Sequence, residues 1–241
     1  MKYEYTGRIR FSETGEDRRL TVPGIVNYLQ DTCTFQSEDL GVGLDELRKH
    51  DLAWVITYWH IDILERPLLG QQVTTATWAY DFKSFFGLRN FDMKDESGKV
   101  LVRSNSVWLL LNMKTMLPAR VPEMMTERYG LSEKAEMDYL PRKLKLPEHA
   151  QAGQPFAIET HHLDVNHHVN NEQYIAMAMS YLPEGAQVKR LRAEYRHQAV
   201  LGDIVVPAAA YEDGCVTVSL QDEQGQPYAM IEMVTEENGK C

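Results

Sequence analysis

Along the chain, hydrophobic positions recur with two different periods, and the switches between them outline the predicted elements. Ile25, Leu29, Cys33, Gln36 and Leu40 follow near-helical spacing, with Pro23 suited to a first helical turn. Tyr174, Met177, Ala178 and Tyr181 fall at i, i+3, i+4 and i+7, one face of a second helix that should begin around Glu172 and end near Pro183. Strand-like stretches follow each helix: "AWVITYWHIDIL" and "TTATWAYDF" after the first, "VKRLRAEYRHQAV" and "CVTVSLQD" after the second. One helix and then a run of antiparallel strands, met twice, predicts a sheet curled around a helix in each half. The charged, proline-marked stretch from Val121 to Gly153 is the natural connection between them.

The halves resemble each other. "DESGKVLVRSNSVWLL" from Asp95 and "DEQGQPYAMIEMVTEE" from Asp222 each read as a Gly turn leading into a strand. "LLGQQVTTATWAY" matches "VLGDIVVPAAAY", with Gly70 against Gly202 and Val73 against Val205. Upstream, "FSETGEDRRLTVPGIVNYLQDT" parallels "IETHHLDVNHHVNNEQYIAMAMS", with Asp17 set against Asp164 and Tyr28 against Tyr174. The spacing drifts while the order is kept, as expected if the first copy holds extra residues around "LGVGLDELRKHDL".

"HLDVNHHVNN", residues 162 to 171, is the most polar punctuation in the pattern. Asn170 or Asn171 suits an N-cap, with Gln173 completing an approximate capping box. Capping does not explain Asp164, Asn166 and His168, which at alternate positions of an extended segment would project to one side. An imidazole that can deprotonate water, a carboxylate that can steady it, and an amide beside helix N–H groups that can hold an oxyanion make a reaction centre. From spacing alone the capping loop and the catalytic loop both stand. A metal site is the weaker use of His161, His162, His167 and His168, which are adjacent pairs without i, i+4 spacing.

Composition narrows the field. Acidic residues exceed basic ones, 35 against 25, for a net charge of −10, which argues against a general nucleic-acid binder. Cys33, Cys215 and Cys241 are scattered and form no CxxC, so no zinc site is expected. The N-terminal residues lack an apolar signal core, and no apolar run is long enough to span a bilayer. The expectation is a soluble cytoplasmic protein without membrane insertion.

"LDVNHHVNNEQYI", Leu163 to Ile175, resembles the signature of the acyl-acyl carrier protein thioesterases, Leu-Asp-(Val/Met)-Asn-x-His-Val-Asn-Asn-x-x-Tyr-(Ile/Leu), at every fixed position. "SVWLLLNMKTMLPARVPEMM", "GLRNFDM", "LAWVITYWHIDI" and "LRAEYRHQAVLGD" are similar to further segments of that family. The resemblance implies an α+β fold of two tandem hotdogs, a double hotdog of curved antiparallel sheets each wrapped around a central helix. On that frame an N-terminal hotdog holding the acyl chain spans 1–125, a linker 126–152 and a catalytic hotdog 153–241. The implied activity is hydrolysis of fatty acyl-ACP to free fatty acid and holo-ACP, ending chain elongation in fatty acid biosynthesis. Asp164, Asn166 and His168 are the implied catalytic residues. The plant members carry a Glu-Cys pair in a Tyr-Arg-Arg-Glu-Cys context, where "EYRHQA" has Gln198 and Ala199. Glutamine cannot accept a proton, so Gln198 is expected to orient a water by hydrogen bonds, with proton transfer left to His168 or Asp164. The absence of a plant transit segment fits a bacterial-type enzyme.

No cofactor and no metal are expected. The implied partner is an acyl carrier protein bearing a fatty acyl chain, and the chain itself is expected as a monomer or homodimer. An acidic carrier needs a basic patch, and "PRKLKLP" (Arg142, Lys143, Lys145) and "VKRLRAEYR" (Lys189, Arg190, Arg192, Arg196) are the densest basic stretches. Leu29, Phe35, Trp54 and Trp78 are candidate neighbours of the acyl tail, and Arg89 is either a polar contact or a surface residue. An acyl-CoA thioesterase and a non-catalytic acyl-binding hotdog protein, made conceivable by Gln198 and Ala199, are the alternatives, with a hotdog dehydratase behind them.

Overall fold

In the computed structural model, residues 1–235 are described, and the chain divides into two compact units. One comprises Met1–Thr57 with Ile63–Tyr139, the other Tyr58–Asp62 with the chain from Leu140. Cys241 lies outside the described residues, as does the end of the expected 153–241 segment. Both units mix helix with antiparallel sheet.

The first unit opens with strand β1 (Tyr3–Arg8) and a 3-10 turn (Phe11–Glu13), then helix α1 (Val22–Asp39) and the short α2 (Leu44–Lys49). Thr21 caps α1 by accepting the Gly24 N–H at 3.1 Å, and a proline stands in the first turn, where its missing N–H costs no bond. The predicted stripe faces inward through Gln36: Ile25 and Leu29 are fully buried, each contributing roughly 1.5–3 kcal/mol, and Cys33 and Gln36 are buried beside them. Strands β2 (Leu52–Ile63), β3 (Gln72–Lys83), β4 (Phe86–Asp95), β5 (Val100–Asn112) and the two-residue β6 (Leu117–Pro118) follow, then helix α3 (Glu123–Tyr129). Pairing is antiparallel from β1 to β3, β3 to β4, β4 to β5 and β5 to β6, and α1 packs on β3 and β1. Met125 and Tyr129 of α3 are buried with Val42, Leu47, Ala79 and Leu110. Residues read from the sequence as the start of the connection thus extend the first unit's core.

The second unit contains β7 (Gln151–Ala152), β8 (Phe156–Ala157), a 3-10 turn (Thr160–His162), α4 (Asn171–Met179), β9 (Arg190–Tyr195), β10 (Ile204–Glu212), β11 (Cys215–Gln221) and β12 (Pro227–Val234). Its sheet runs from the Tyr58–Asp62 part of β2 through β9, β12, β11 and β10 to β7, with β8 also on β10. Helix α4 packs on β11 and β12. It stops at Met179, short of the expected end near Pro183. Ser180, Tyr181 and Leu182 donate instead to carbonyls three residues back, a tightened tail rather than a further α turn.

Both units use the same local hydrogen bonds, and these fix the internal register. Gly15 N–H donates to Arg19 O and Arg18 N–H to Gly15 O; Asp164 N–H donates to His168 O and His167 N–H to Asp164 O. Leu20 N–H meets Pro67 O as Val169 N–H meets Ala199 O. Arg18 and His167 both sit in the left-handed region, φ 58° and 62°. Gly70 and Gly202, at φ 81° and 86°, keep the match read from the sequence. The upstream alignment is corrected by two residues. Gly15, not Asp17, stands where Asp164 does; Asp17 corresponds to Asn166 and Arg19 to His168. The repeated Asp was a misleading marker, because hydrogen-bond geometry rather than residue type is conserved between the turns.

Candidate active site

The run from Asp164 to Val169 is a closed turn and not the extended segment expected. Leu163 and Val169 form a bridge across its base, and His167 supplies the left-handed residue that reverses the chain. Asp164 holds it from within: its Oδ1 accepts the N–H groups of Asn166 at 2.8 Å and His168 at 3.2 Å, while the Asn166 amide approaches Oδ2 at 3.4 Å. The carboxylate therefore orders the turn through backbone donors. Among the described residues, no hydrogen bond joins it to the His168 ring.

Asn170 caps α4, its Oδ1 accepting the Glu172 N–H at 3.4 Å. The expected capping box does not form, because the Gln173 amide bonds the neighbouring Glu172 carboxyl at 2.5 Å instead. His162 Nδ1 accepts the Glu159 N–H at 2.9 Å, and burial, with the charge of His161, lowers its pKa.

Backbone contacts bring the Gln198 segment to this turn. His168 bridges Val200, and Val169 N–H donates to Ala199 O at 3.0 Å. Tyr174, from the buried face of α4, accepts the Ala199 N–H at 2.9 Å. The Tyr195 hydroxyl, at the end of β9, donates to Asn171 O at 2.9 Å. His168 and Gln198 thus come from adjacent segments, His168 half-buried and Asn166 and Gln198 exposed. Solvent can reach all three.

The first unit fills the equivalent place with an ion pair. Asp17 and Arg66, at the positions of Asn166 and Gln198, bond each other directly, and Arg66 also donates to Leu20 O at 3.3 Å. Arg19, in place of His168, donates to Arg66 O at 2.5 Å. That turn is closed by charge, whereas the second offers an imidazole and two amides.

Sequence reasoning missed Glu172. It lies on the buried face of α4 with 9% of its surface exposed, and burial raises its pKa despite the Gln173 hydrogen bond. Among the described residues, no group of three or more His, Cys, Asp or Glu is arranged to hold a metal ion, and no helix is long and apolar enough to cross a membrane.

The acyl-tail candidates are dispersed in the first unit. Leu29 is fully buried, Trp78 is 3% exposed with its Nε1–H on Glu133 O at 2.8 Å, and Trp54 is partly buried against Phe82. Phe35 is exposed and packs on Tyr5. Arg89 is a polar contact and not a surface residue: it is 7% exposed, bonded to the Gln36 amide oxygen and stacked over Tyr129 at 5.2 Å.

Residues 1–129 match the acyl-ACP thioesterase N-terminal domain and residues 147–237 the acyl-ACP thioesterase C-terminal domain. The chain belongs to the acyl-ACP thioesterase family. It is similar to the chloroplastic acyl-[acyl-carrier-protein] hydrolase FATB3 of Cuphea viscosissima, 28% identical over 214 residues that cover 82% of this chain and 52% of the relative. The chain spans about half the length of the first curated relatives it matches. Two solved structures share the fold. An acyl-ACP thioesterase from Bacteroides thetaiotaomicron gives a TM-score of 0.89 at 21% identity, covering 98% of each chain. The 12:0-ACP thioesterase of Umbellularia californica gives 0.84 at 22% identity, covering 97% of this chain and 96% of its own.

Proposed function

We propose that this chain hydrolyses fatty acyl-ACP thioesters, releasing free fatty acid and holo-ACP. The observation that supports the reading is the backbone bridge between His168 and Val200, which brings the His168 and Gln198 segments together just ahead of α4. A water held by Gln198 attacks the thioester carbonyl while His168 accepts its proton. The carbonyl oxygen, negative in the tetrahedral intermediate, is met by the Asn166 amide and the N–H groups at the start of α4. The carbon–sulfur bond then breaks, and the His168 imidazolium returns a proton to the departing carrier thiolate. Asp164 serves the reaction by holding the turn that presents Asn166 and His168.

In the same reading each unit is a hotdog. The first houses the acyl chain, and the second carries the chemistry. Arg66 and Asp17 fit that division, since their ion pair leaves the first unit's equivalent place without a base. Cytoplasmic residence and a monomeric or homodimeric state belong to the proposal too.

The test is steady-state release of free thiol from ACP thioesters of graded chain length, with the same acyl groups on CoA alongside. Turnover on the carrier, lost in His168→Ala, supports the assignment. Acyl binding without turnover on either carrier would mean that Gln198 and Ala199 mark a binding module.

A further inference from the structure

The two basic stretches of the sequence have different fates in the structure. Arg190 bonds Asp62 through Nε at 2.6 Å, and Arg192 grips Glu232 with Nε and Nη2 at 2.5 Å each. Arg196 meets Glu194 at 3.0 Å. Three of the four cations in "VKRLRAEYR" are therefore committed to carboxylates of their own unit, leaving Lys189 exposed.

Pro141 to Lys145 behaves differently. This strap is tied down at three points along β9 and the residue that follows it. Arg192 Nη1 donates to Pro141 O at 3.0 Å, Leu144 N–H donates to Glu194 Oε2 at 2.8 Å, and Arg196 Nη2 donates to Leu144 O at 3.0 Å. The Leu144 side chain is 3% exposed. In an extended segment neighbours of an inward residue point outward, and Lys143 and Lys145 are both exposed, as is Arg142. Among the described residues, neither Lys143 nor Lys145 is in an ion pair. Arg196, which anchors the strap, stands two residues from Gln198. Val165, Val200 and Leu201, exposed at 75%, 42% and 57%, add an apolar border on the turn and its partner segment.

We propose that the strap Arg142–Lys145 is the docking surface for the acidic face of the carrier protein that delivers the thioester. This rests on the proposed reading of the function and deepens it. The chain carries a net charge of −10, so a generic acidic protein is repelled by most of its surface, and a short rigid row of cations near Gln198 gives an acidic partner both attraction and register. Fixing the backbone at Leu144 keeps the charges in place without ordering the chain on binding.

The experiment is a titration of fluorescently labelled holo acyl carrier protein with the full chain, read by anisotropy at several NaCl concentrations. Wild-type binding should weaken as salt rises. Lys143→Glu/Lys145→Glu, with an unchanged melting temperature, should bind at least about tenfold more weakly. Lys143→Arg/Lys145→Arg should keep the affinity, and Lys189→Glu should leave it within about twofold. Binding of the double Glu variant within twofold of wild type, or no binding by wild type at low salt, overturns the proposal. A failure of the hydrolysis reading is distinguishable: thiol release from acyl-ACP would be absent while this binding pattern stood.

Discussion

Arg66 and Asp17 are bonded to each other in the first unit at the two positions that Gln198 and Asn166 occupy in the second. The repeat therefore supplies an internal comparison. One fold element closes its turn with an ion pair, and the other leaves neutral amides open to water beside an imidazole. Arg66→Gln, which copies the second unit's residue, removes the pair and the bond to Leu20 O. Asp17 is 40% exposed, so solvent screens the loss, and the variant should be destabilised by at most about 1 kcal/mol. Urea unfolding checks the magnitude, and thiol release should stay at the wild-type rate.

Asp164 separates charge from geometry. Its Oδ1 accepts two backbone N–H groups, a task an asparagine oxygen also performs. Asp164→Asn should keep most of the turnover, while Asp164→Ala, which empties the turn, should lose about 10²-fold and about 1 kcal/mol of stability. Equal loss in both variants, measured by kcat on acyl-ACP, would assign the carboxylate's charge a direct part in the chemistry.

Glu172 predicts a pH dependence of stability. Burial raises its folded-state pKa, and the Gln173 hydrogen bond only partly offsets this. A raised folded value means that its favourable contribution is complete below the ordinary glutamate value of 4.5 and is lost as pH climbs through the folded one. Glu172→Gln should therefore melt higher than wild type at neutral pH, the gap shrinking as pH falls toward 4.5. Thermal melts across that window read the difference, and a constant gap would contradict it.

Arg192 and Glu232 form a two-point pair with side chains 12% and 9% exposed. Removing one partner leaves the other's charge uncompensated. Glu232→Gln should cost about 3–5 kcal/mol, and Arg192→Met with Glu232→Leu should cost less than either single change. A double-mutant cycle in urea decides it.

The sequence was most legible where one backbone rule dominates. Gly70 and Gly202 mark the same left-handed turn, and the stripe from Ile25 to Leu29 is the buried face of α1. It was least legible where a side chain chooses among backbone donors. Alternation made Asp164, Asn166 and His168 look like one face of a strand, but the backbone closes a turn there, as it does at Gly15 in the first unit, and the Asp164 carboxylate binds two of its N–H groups. Because the turns share backbone bonds and not residue types, matching Asp17 to Asp164 set the alignment off by two residues. Arg190, Arg192 and Arg196 looked like a basic patch because their acidic partners, apart from Glu194, come from other strands, and only the sheet pairing brings Asp62 and Glu232 to them. Glu172 went unnoticed because its burial depends on how α4 packs on β11 and β12.

The most direct test of the central claim compares wild type with His168→Ala for thiol release from acyl carrier protein thioesters under single-turnover conditions, across pH. The account predicts rapid hydrolysis by wild type and a variant slowed by about 10²-fold or more. A correctly folded His168→Ala protein that hydrolyses the thioester at the wild-type rate with the same pH profile would contradict it.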